Sequence, residues 1–535
     1  MMTEISRRRL LTAAGIATGG LLTTSFNAMA EQGESTPASH AVALPQPGGE
    51  HAPVSGLHIQ FGADASSEVV VSWHTLQPVS QPQVILGRPD GSFEKVVSAE
   101  MKHYVDGKSK QTVYAWHAKI TGLQANTAYL YAALHEGAAP EFGTFRTSPR
   151  GRQKLTFTSF GDQGTPTLGR LVEVQTVHEG KPSSAIKSIY INDNLGSPAA
   201  GDTTLGVERL TPLFHLFNGD LCYANLAEDR VRTWWDFWNN NTRSARNRPW
   251  MPSPGNHENE LGNGPIGYQA YQTYFSLPEA ENQTEVTHGL WYSFTAGSVR
   301  VIAIANDDVC YQDAGDSYVR GYSEGQQKAW LEKALAAARA DTGIDWVIVC
   351  MHQVAISTAD KFNGADLGIR QEWLPLFDKY GVDLVVCGHE HHYERSHPLR
   401  GQQQNSTLTP IHVSTATDVI DTTKGTVHMV IGGGGTSAPS NQLFFNPPRC
   451  RVITAVAERD PVNGKRRPVY VEEDAPWSAV RNAARAYGFA GFELDPGQHP
   501  GDDTTIKVTY YDVTGPDGQS KAFESFILRR PRRDS

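Results

Sequence analysis

Five segments of this chain carry metal-ligand chemistry at the ends of short apolar runs, and this pattern constrains the fold more than any other feature. Residues 213–217 read as a buried strand. They lead into Asn218-Gly219-Asp220-Leu221-Cys222-Tyr223, which sets a carboxylate at the strand end and a phenol three residues later. Residues 154–160 end in Gly161-Asp162-Gln163-Gly164, and residues 344–350 end in Met351-His352. Residues 382–387 end in Gly388-His389-Glu390-His391-His392, and Pro254-Gly255-Asn256-His257-Glu258 supplies the fifth group. Helical patterns at 326–340 and 369–380 separate the later strands. This is α/β logic, which gathers chemistry where the strands end.

The collected side chains are Asp162, Asp220, Tyr223, Asn256, His257, His352, His389 and His391. They combine carboxylate, phenol, amide and imidazole without thiolate. Such a set suits iron, manganese or zinc better than it suits a structural zinc site. There are too many groups for one ion. A carboxylate shared by two ions is the natural arrangement, and two metals form a clamp for in-line displacement at phosphorus.

With 535 residues the chain exceeds one ordinary core. Residues 57–147 show short β runs separated by turn residues, the spacing of a small antiparallel sandwich. It contains no cluster of His, Asp or Cys that could bind metal, so a structural or docking module is expected. Ser148-Pro149-Arg150-Gly151-Arg152 marks a boundary, which gives a sandwich over 53–148 and a catalytic domain over 152–530. A polar, Gly- and Ser-rich insertion is read at 179–206, an amphipathic aromatic helix at 228–241, and a capping box at Ser323-Glu324-Gly325-Gln326. Residues 437–485 read as irregular.

Residues 31–52 are a Pro-, Gly- and Ser-rich linker. Before it, Ser6-Arg7-Arg8-Arg9-Leu10-Leu11, a weakly apolar run and Ala28-Met29-Ala30 resemble a twin-arginine export signal with its cleavage site. A periplasmic or secreted protein is the expectation. The net charge of -10 gives no electrostatic basis for binding nucleic acid. No apolar stretch of the mature chain is long enough for stable membrane insertion. Cys222, Cys350 and Cys387 read as small core residues, leaving Cys310 and Cys450 as a plausible disulfide pair.

The motifs Gly-Asp-x-Gly, Gly-Asp-x-x-Tyr, Gly-Asn-His-Glu, Val-x-x-His and Gly-His-x-His, in this order, resemble those of the purple acid phosphatases, a branch of the metallophosphoesterase superfamily. The likeness covers about residues 55–530 and includes a β-sandwich ahead of the catalytic domain. It implies an α/β fold in which a metallophosphoesterase β-sandwich is flanked by helices in four αββα layers. An all-β, fibronectin-III-like sandwich would precede it. Carried over motif by motif, it assigns one ion to Asp162, Tyr223 and His391, a second to Asn256, His352 and His389, and Asp220 as the bridge. Gly164 stands where most of the superfamily has His, and Tyr223 supplies the compensating ligand of the purple branch. Fe(3+) at the Tyr223 site and a divalent Fe, Zn or Mn at the other are therefore implied.

The implied activity is hydrolysis of phosphate monoesters by a metal-bound hydroxide, with small phosphorylated molecules as partners. A phosphodiesterase or phospholipase on the same centre is the alternative, followed by a non-catalytic surface-binding protein. One departure stands out. The family's acid histidine after the Val-x-x-His motif is missing from Ala359-Asp360-Lys361-Phe362-Asn363-Gly364. His257 is the first candidate for general acid, and a protonated Asp360 or Asp366 the second. His392 is expected in the second rank behind the ligands or facing solvent, with Tyr393, Glu394 and Arg395 as supports. The sequence carries no signal for the physiological ester or the oligomeric state.

Overall fold

The computed structural model describes residues 51–166, 170–178, 181–191, 195–312, 317–461 and 466–534. The segment read as an export signal, and nearly all of the linker, lie outside them.

Eight strands between Ser55 and Arg146 form two antiparallel sheets of four. Along Val69–Thr75 the residues alternate, Val69, Val71 and Trp73 against Ser72 and His74, yet all seven are buried. The apolar set fills the sandwich. On the other set, strand register aligns His58, Ser72 and His117 in one row. Helix Arg230–Ala245 and helix Gln269–Tyr274 of the catalytic part cover that row. Trp238 stacks on His58 at 3.8 Å, while Trp235 and Tyr274 meet His74 edge-on. The aromatic residues of Arg230–Ala245 are therefore packing residues, and one hydrophobic core runs through both domains.

The catalytic part contains two seven-stranded sheets. In the first, Phe214–Asn218 runs parallel to Leu155–Phe160 on one side and to Trp250–Ser253 on the other. In the second, Val299–Ala303, Trp346–Cys350, Leu384–Cys387 and Val427–Ile431 are successive parallel strands. Parallel strands covered on both faces read as unbroken apolar runs. Within each set the C-terminal ends open on one edge. Asn218 Nδ2 donates to the Cys387 carbonyl (3.4 Å), and Cys350 Sγ lies 3.2 Å from Asn218 Oδ1, so the two edges meet. Helix Ala199–Arg209 packs on the first sheet and Gln326–Ala340 on the second, which completes the four layers.

Several local expectations change. The insertion read at 179–206 contains part of a hairpin, Arg170–His178 with Lys181–Ile191, and most of helix Ala199–Arg209. Gly201 and Gly206 weaken the helical signal there. The stretch read as irregular holds a long hairpin, Arg449–Arg459 with Arg466–Asp474. No capping box forms at Ser323. Gly325, at φ 81°, precedes the helix, and Ser323 Oγ instead donates to Asp308 Oδ2 (2.5 Å). All five cysteines are free and buried. Cys310 belongs to the main core and Cys450 to a small satellite core with Trp477, so the suggested pair is not formed.

Candidate metal centre and active site

Sharp reversals at the strand ends turn the candidate side chains towards one another. Asp162, Asp220, Tyr223 and His389 all have left-handed backbones, with φ of 58°, 53°, 56° and 68°. This conformation is uncommon for residues with a Cβ and concentrates at functional sites. Glycines allow the approach. A Cβ on Gly219, at φ 74°, would lie 2.7 Å from the His352 ring, and one on Gly388 would overlap Asp162 Oδ2.

Two groups of ligand atoms result, Asp162 with Asp220 and His391, and Asp220 with His352 and His389, each with its atoms within 4.8 Å of one another. Asp220 is common to both. Tyr223 Oη is 3.3 Å from Asp162 Oδ1 and 3.0 Å from His391 Nε2, which places it with the first group. Asn256 Oδ1 is 3.0 Å from His352 Nε2, which places it with the second. His352 Nε2 also lies 3.1 Å from Asp220 Oδ2 and 3.2 Å from His389 Nδ1. All seven residues assigned as ligands from sequence are thus drawn together and buried. The convergence of so many lone pairs in a buried space fits a pair of cations, because such groups are costly to bury without a counter-charge.

The electrostatics of the protein alone reflect that crowding. Burial works against ionisation of Asp220, but the neighbouring His352 and then His257 outweigh it and hold the carboxyl well below the usual range. His352 is the reverse case: burial opposes its charge, but Asp220 raises it to about 10. Burial raises the Tyr223 phenol, and Asp162 and Asp220 raise it further. Ionisation of this phenol therefore requires a strong local cation.

A set of partners whose role the motifs do not reveal holds these groups in place. The Glu258 carboxylate accepts N–H groups from Asp220 (2.9 Å), Leu221 (2.8 Å) and Gly255 (2.7 Å). Burial, then the Asp220 charge, push Glu258 up to about 8. His352 Nδ1 contacts the Asn218 carbonyl (2.7 Å), His391 Nδ1 the Ala438 carbonyl (2.7 Å), and His389 Nε2 the Gln312 Oε1 (2.8 Å). Such partners fix which ring nitrogen faces a metal.

His257 serves the site twice. Its backbone N–H donates to Asp220 Oδ1 (2.9 Å), and its ring packs against Tyr223 while Nδ1 meets Asn225 Oδ1 at 2.9 Å. With Asp220, Asn256, His389 and His391 it lines a cavity of about 370 Å³. Neither alternative acid lines it. Asp366 is buried behind the wall, accepting from the backbone of Tyr311 (2.9 Å), Gln312 (3.1 Å) and Gly368 (2.8 Å). Asp360 donates its backbone N–H to the Leu443 carbonyl. His392 is buried, not solvent-facing, with Nδ1 on Ser440 Oγ (2.8 Å). Tyr393 and Arg395 both bind Glu524, and Glu394 holds Thr358, so all three act as supports outside the cavity lining. His215 and His428, which lack motif context, are core residues.

Comparison with known proteins agrees with this geometry. Residues 54–149 match the family model described as purple acid phosphatase, N-terminal domain, and residues 200–393 match that of the calcineurin-like phosphoesterases. Asp162 precedes the second match and reaches the site through the fold. An uncharacterized Mycobacterium tuberculosis protein is 57% identical over 99% of this chain and 96% of its own length. A purple acid phosphatase of Glycine max is 26% identical, covering 73% of this chain and 74% of its own. Among solved structures, a purple acid phosphatase from yellow lupin (Lupinus luteus) seeds superposes with a TM-score of 0.61 at 20% identity, covering 90% of this chain and 75% of that one. PhoD superposes at 0.56 with 13% identity, covering 91% and 92%. A sandwich model specific to one branch, joined to a phosphoesterase model, leaves one placement: the chain belongs to the purple acid phosphatase family of calcineurin-like phosphoesterases, hydrolases that cleave phosphoesters with a pair of metal ions.

Proposed function

We propose that this chain hydrolyses phosphate monoesters in the cavity lined by Asp220, Asn256, His257, His389 and His391. The observation that carries the reading is the sharing of Asp220 between two ligand groups at the cavity floor. Asp162, Tyr223 and His391 would hold Fe(3+), Asn256, His352 and His389 a divalent Fe, Zn or Mn, and Asp220 both. The ion pair supplies Lewis acidity to the phosphoryl group and an activated water.

The chain's own residues supply orientation and a proton. The His257 backbone fixes the bridging carboxylate, and its ring faces the cavity. With Nδ1 directed to Asn225, Nε2 is the atom that meets the leaving group, and it carries a proton only in the imidazolium. Burial holds His257 below its ordinary value, so the donor form grows as pH falls. Turnover of esters with poor leaving groups should therefore rise towards acid pH, which suits an acid phosphatase.

The N-terminal arginine motif supports export by the twin-arginine route. The purified exported protein should begin near Glu31, and a cytoplasmic chain retaining Arg7 and Arg8 would contradict this. The catalytic reading is tested with the natively metallated protein. Its visible spectrum should contain a phenolate-to-iron charge-transfer band that disappears in Tyr223→Phe. It should turn over p-nitrophenyl phosphate faster than bis(p-nitrophenyl) phosphate. A colourless, iron-free, active protein would refute the iron assignment, and faster cleavage of the diester would favour a phosphodiesterase.

A further inference from the structure

The cavity that holds the metal ligands also has an apolar wall, built by Leu195, Phe362, Ala438 and Pro468. None of these residues belongs to a ligand motif. Phe362 is the one large, flat apolar side chain among the described lining residues. Two reversals of the backbone bring it there. Lys361, just before it, has a left-handed backbone at φ 58°. Gly364, two residues after it, stands at φ 89°, and a Cβ there would lie 2.6 Å from the Arg451 carbonyl oxygen, so a glycine is required. The loop between them is pinned on both flanks. Asp360 donates its N–H to the Leu443 carbonyl, and Gly364 donates its N–H to the Glu390 carboxylate. Asn363 Nδ2 donates to the His389 carbonyl (2.7 Å), and the Tyr470 hydroxyl donates to the Asn363 carbonyl (3.0 Å).

The Phe362 ring meets the His391 ring edge to face, with centroids 4.9 Å apart and planes at 68°. An edge-to-face contact occupies one part of a ring, and the side chain remains half-buried, with surface left to the cavity. Phe362 thus touches a residue assigned to hold a metal, and its free surface adjoins the space in which an ester must bind. Apolar surface left facing water gains from any apolar group that covers it. A second aromatic ring gains more than its area alone, because aromatic pairs add offset or edge stacking to burial. A ring held in place from both flanks of its loop makes that contact with little further loss of freedom.

We propose that Phe362 is a specificity-determining residue that selects phosphate esters with a planar, aromatic alcohol part. Leu195, Ala438 and Pro468 complete the apolar wall against which that part is seated. This inference rests on the phosphomonoesterase reading and extends it to the alcohol side of the ester.

The test uses the metallated full chain and two non-hydrolysable phosphonates with the same number of carbons, phenylphosphonate with a flat ring and cyclohexylphosphonate with a puckered one. Calorimetry on the parent should give an affinity about 3- to 10-fold tighter for phenylphosphonate, the range expected of an aromatic pair. Phe362→Leu, which keeps an apolar side chain but removes the flat ring, should bring that ratio close to one, and Phe362→Tyr should keep most of it. The kcat/KM ratio of phenyl phosphate to glycerol 3-phosphate should fall by a similar factor from the parent to Phe362→Leu, a comparison in which the acidity of the two alcohols cancels. Equal affinities in the parent, or a ratio that survives in Phe362→Leu, would overturn the proposal. Metal analysis accompanies each variant, and loss of metal with an equal loss on both phosphonates would assign the ring to holding His391 and overturn it as well. Turnover of p-nitrophenyl phosphate by the parent reports the underlying reading separately. If the parent cleaves no ester, that reading fails, and the phosphonate affinities still decide the role of Phe362.

Discussion

Two regions of this molecule bury clusters of histidines, and they use them in opposite ways. Where the sandwich docks on the catalytic domain, His58, His74 and His117 lie beneath aromatic rings. No carboxylate leads their electrostatics. Burial takes His58 down to about 4, burial and then the neighbouring His58 take His74 to about 3, and burial is the largest cause that holds His117 well below its ordinary value. His74 has neither ring nitrogen hydrogen-bonded, and its role is to pack. At the strand ends, His352 is equally buried, yet Asp220 raises it to about 10. The lesson is that burial does not make an imidazole functional. Convergence with carboxylates does, because only there do lone pairs gather around a space that a cation can fill.

Four expected outcomes sharpen or break this contrast. The largest follows Asp220→Ala. It should remove ligand atoms from both groups, so metal analysis should fall from two ions per chain. Activity should fall by more than the roughly 10–100-fold typical of residues one step from a metal. Next is His257→Ala, which should keep both metals and lose roughly 10²–10⁴-fold in kcat, most on esters with poor leaving groups. An equal loss on all esters would assign His257 to phosphate binding.

The third outcome is the pH dependence of stability. The docking-face histidines have folded values below the unfolded 6.5. The unfolded chain thus binds protons that the folded chain refuses, and stability falls as pH drops from about 6.5 towards 4. Each contributes a slope of about 1.4 kcal/mol per pH unit in that window. His352 has the opposite sign. In the metal-free chain its contribution is present below 6.5 and is lost as pH rises through about 10. Denaturant unfolding of the metal-free chain across pH should show both limbs. The smallest effect is His74→Phe. It should leave metal content and turnover within twofold of the parent, while proton uptake on unfolding at pH 5 falls by about one. Loss of metal in this variant would break the contrast.

Much of the strand-end site was legible because each local run announces itself: an apolar strand, a glycine where two chains must touch, then a ligand. Gly219 and Asp220 need no distant information to be recognised. Glu258 lies inside a motif, but its work, taking three backbone N–H groups, becomes visible only in three dimensions. Asn225 and Gln312 act through partners 32 and 77 residues away, beyond the reach of any periodic pattern. The same holds for the docking face. Val69–Thr75 alternates like a half-exposed strand, and only the partner helix explains why Ser72 and His74 are also buried. The hairpin Arg449–Arg459 with Arg466–Asp474 is not legible in the sequence because the exposed residues of its second strand include Val469 and Val471 beside Arg467, Glu472 and Asp474, which masks the polar-apolar alternation.

The central claim is that Asp220 is shared by two ions. Anomalous scattering from crystals of the natively metallated protein, recorded at the iron, zinc and manganese edges, tests it most directly. Two peaks should flank the Asp220 carboxylate, with iron on the side of Asp162, Tyr223 and His391. A single peak, or two peaks that do not share Asp220, would contradict it.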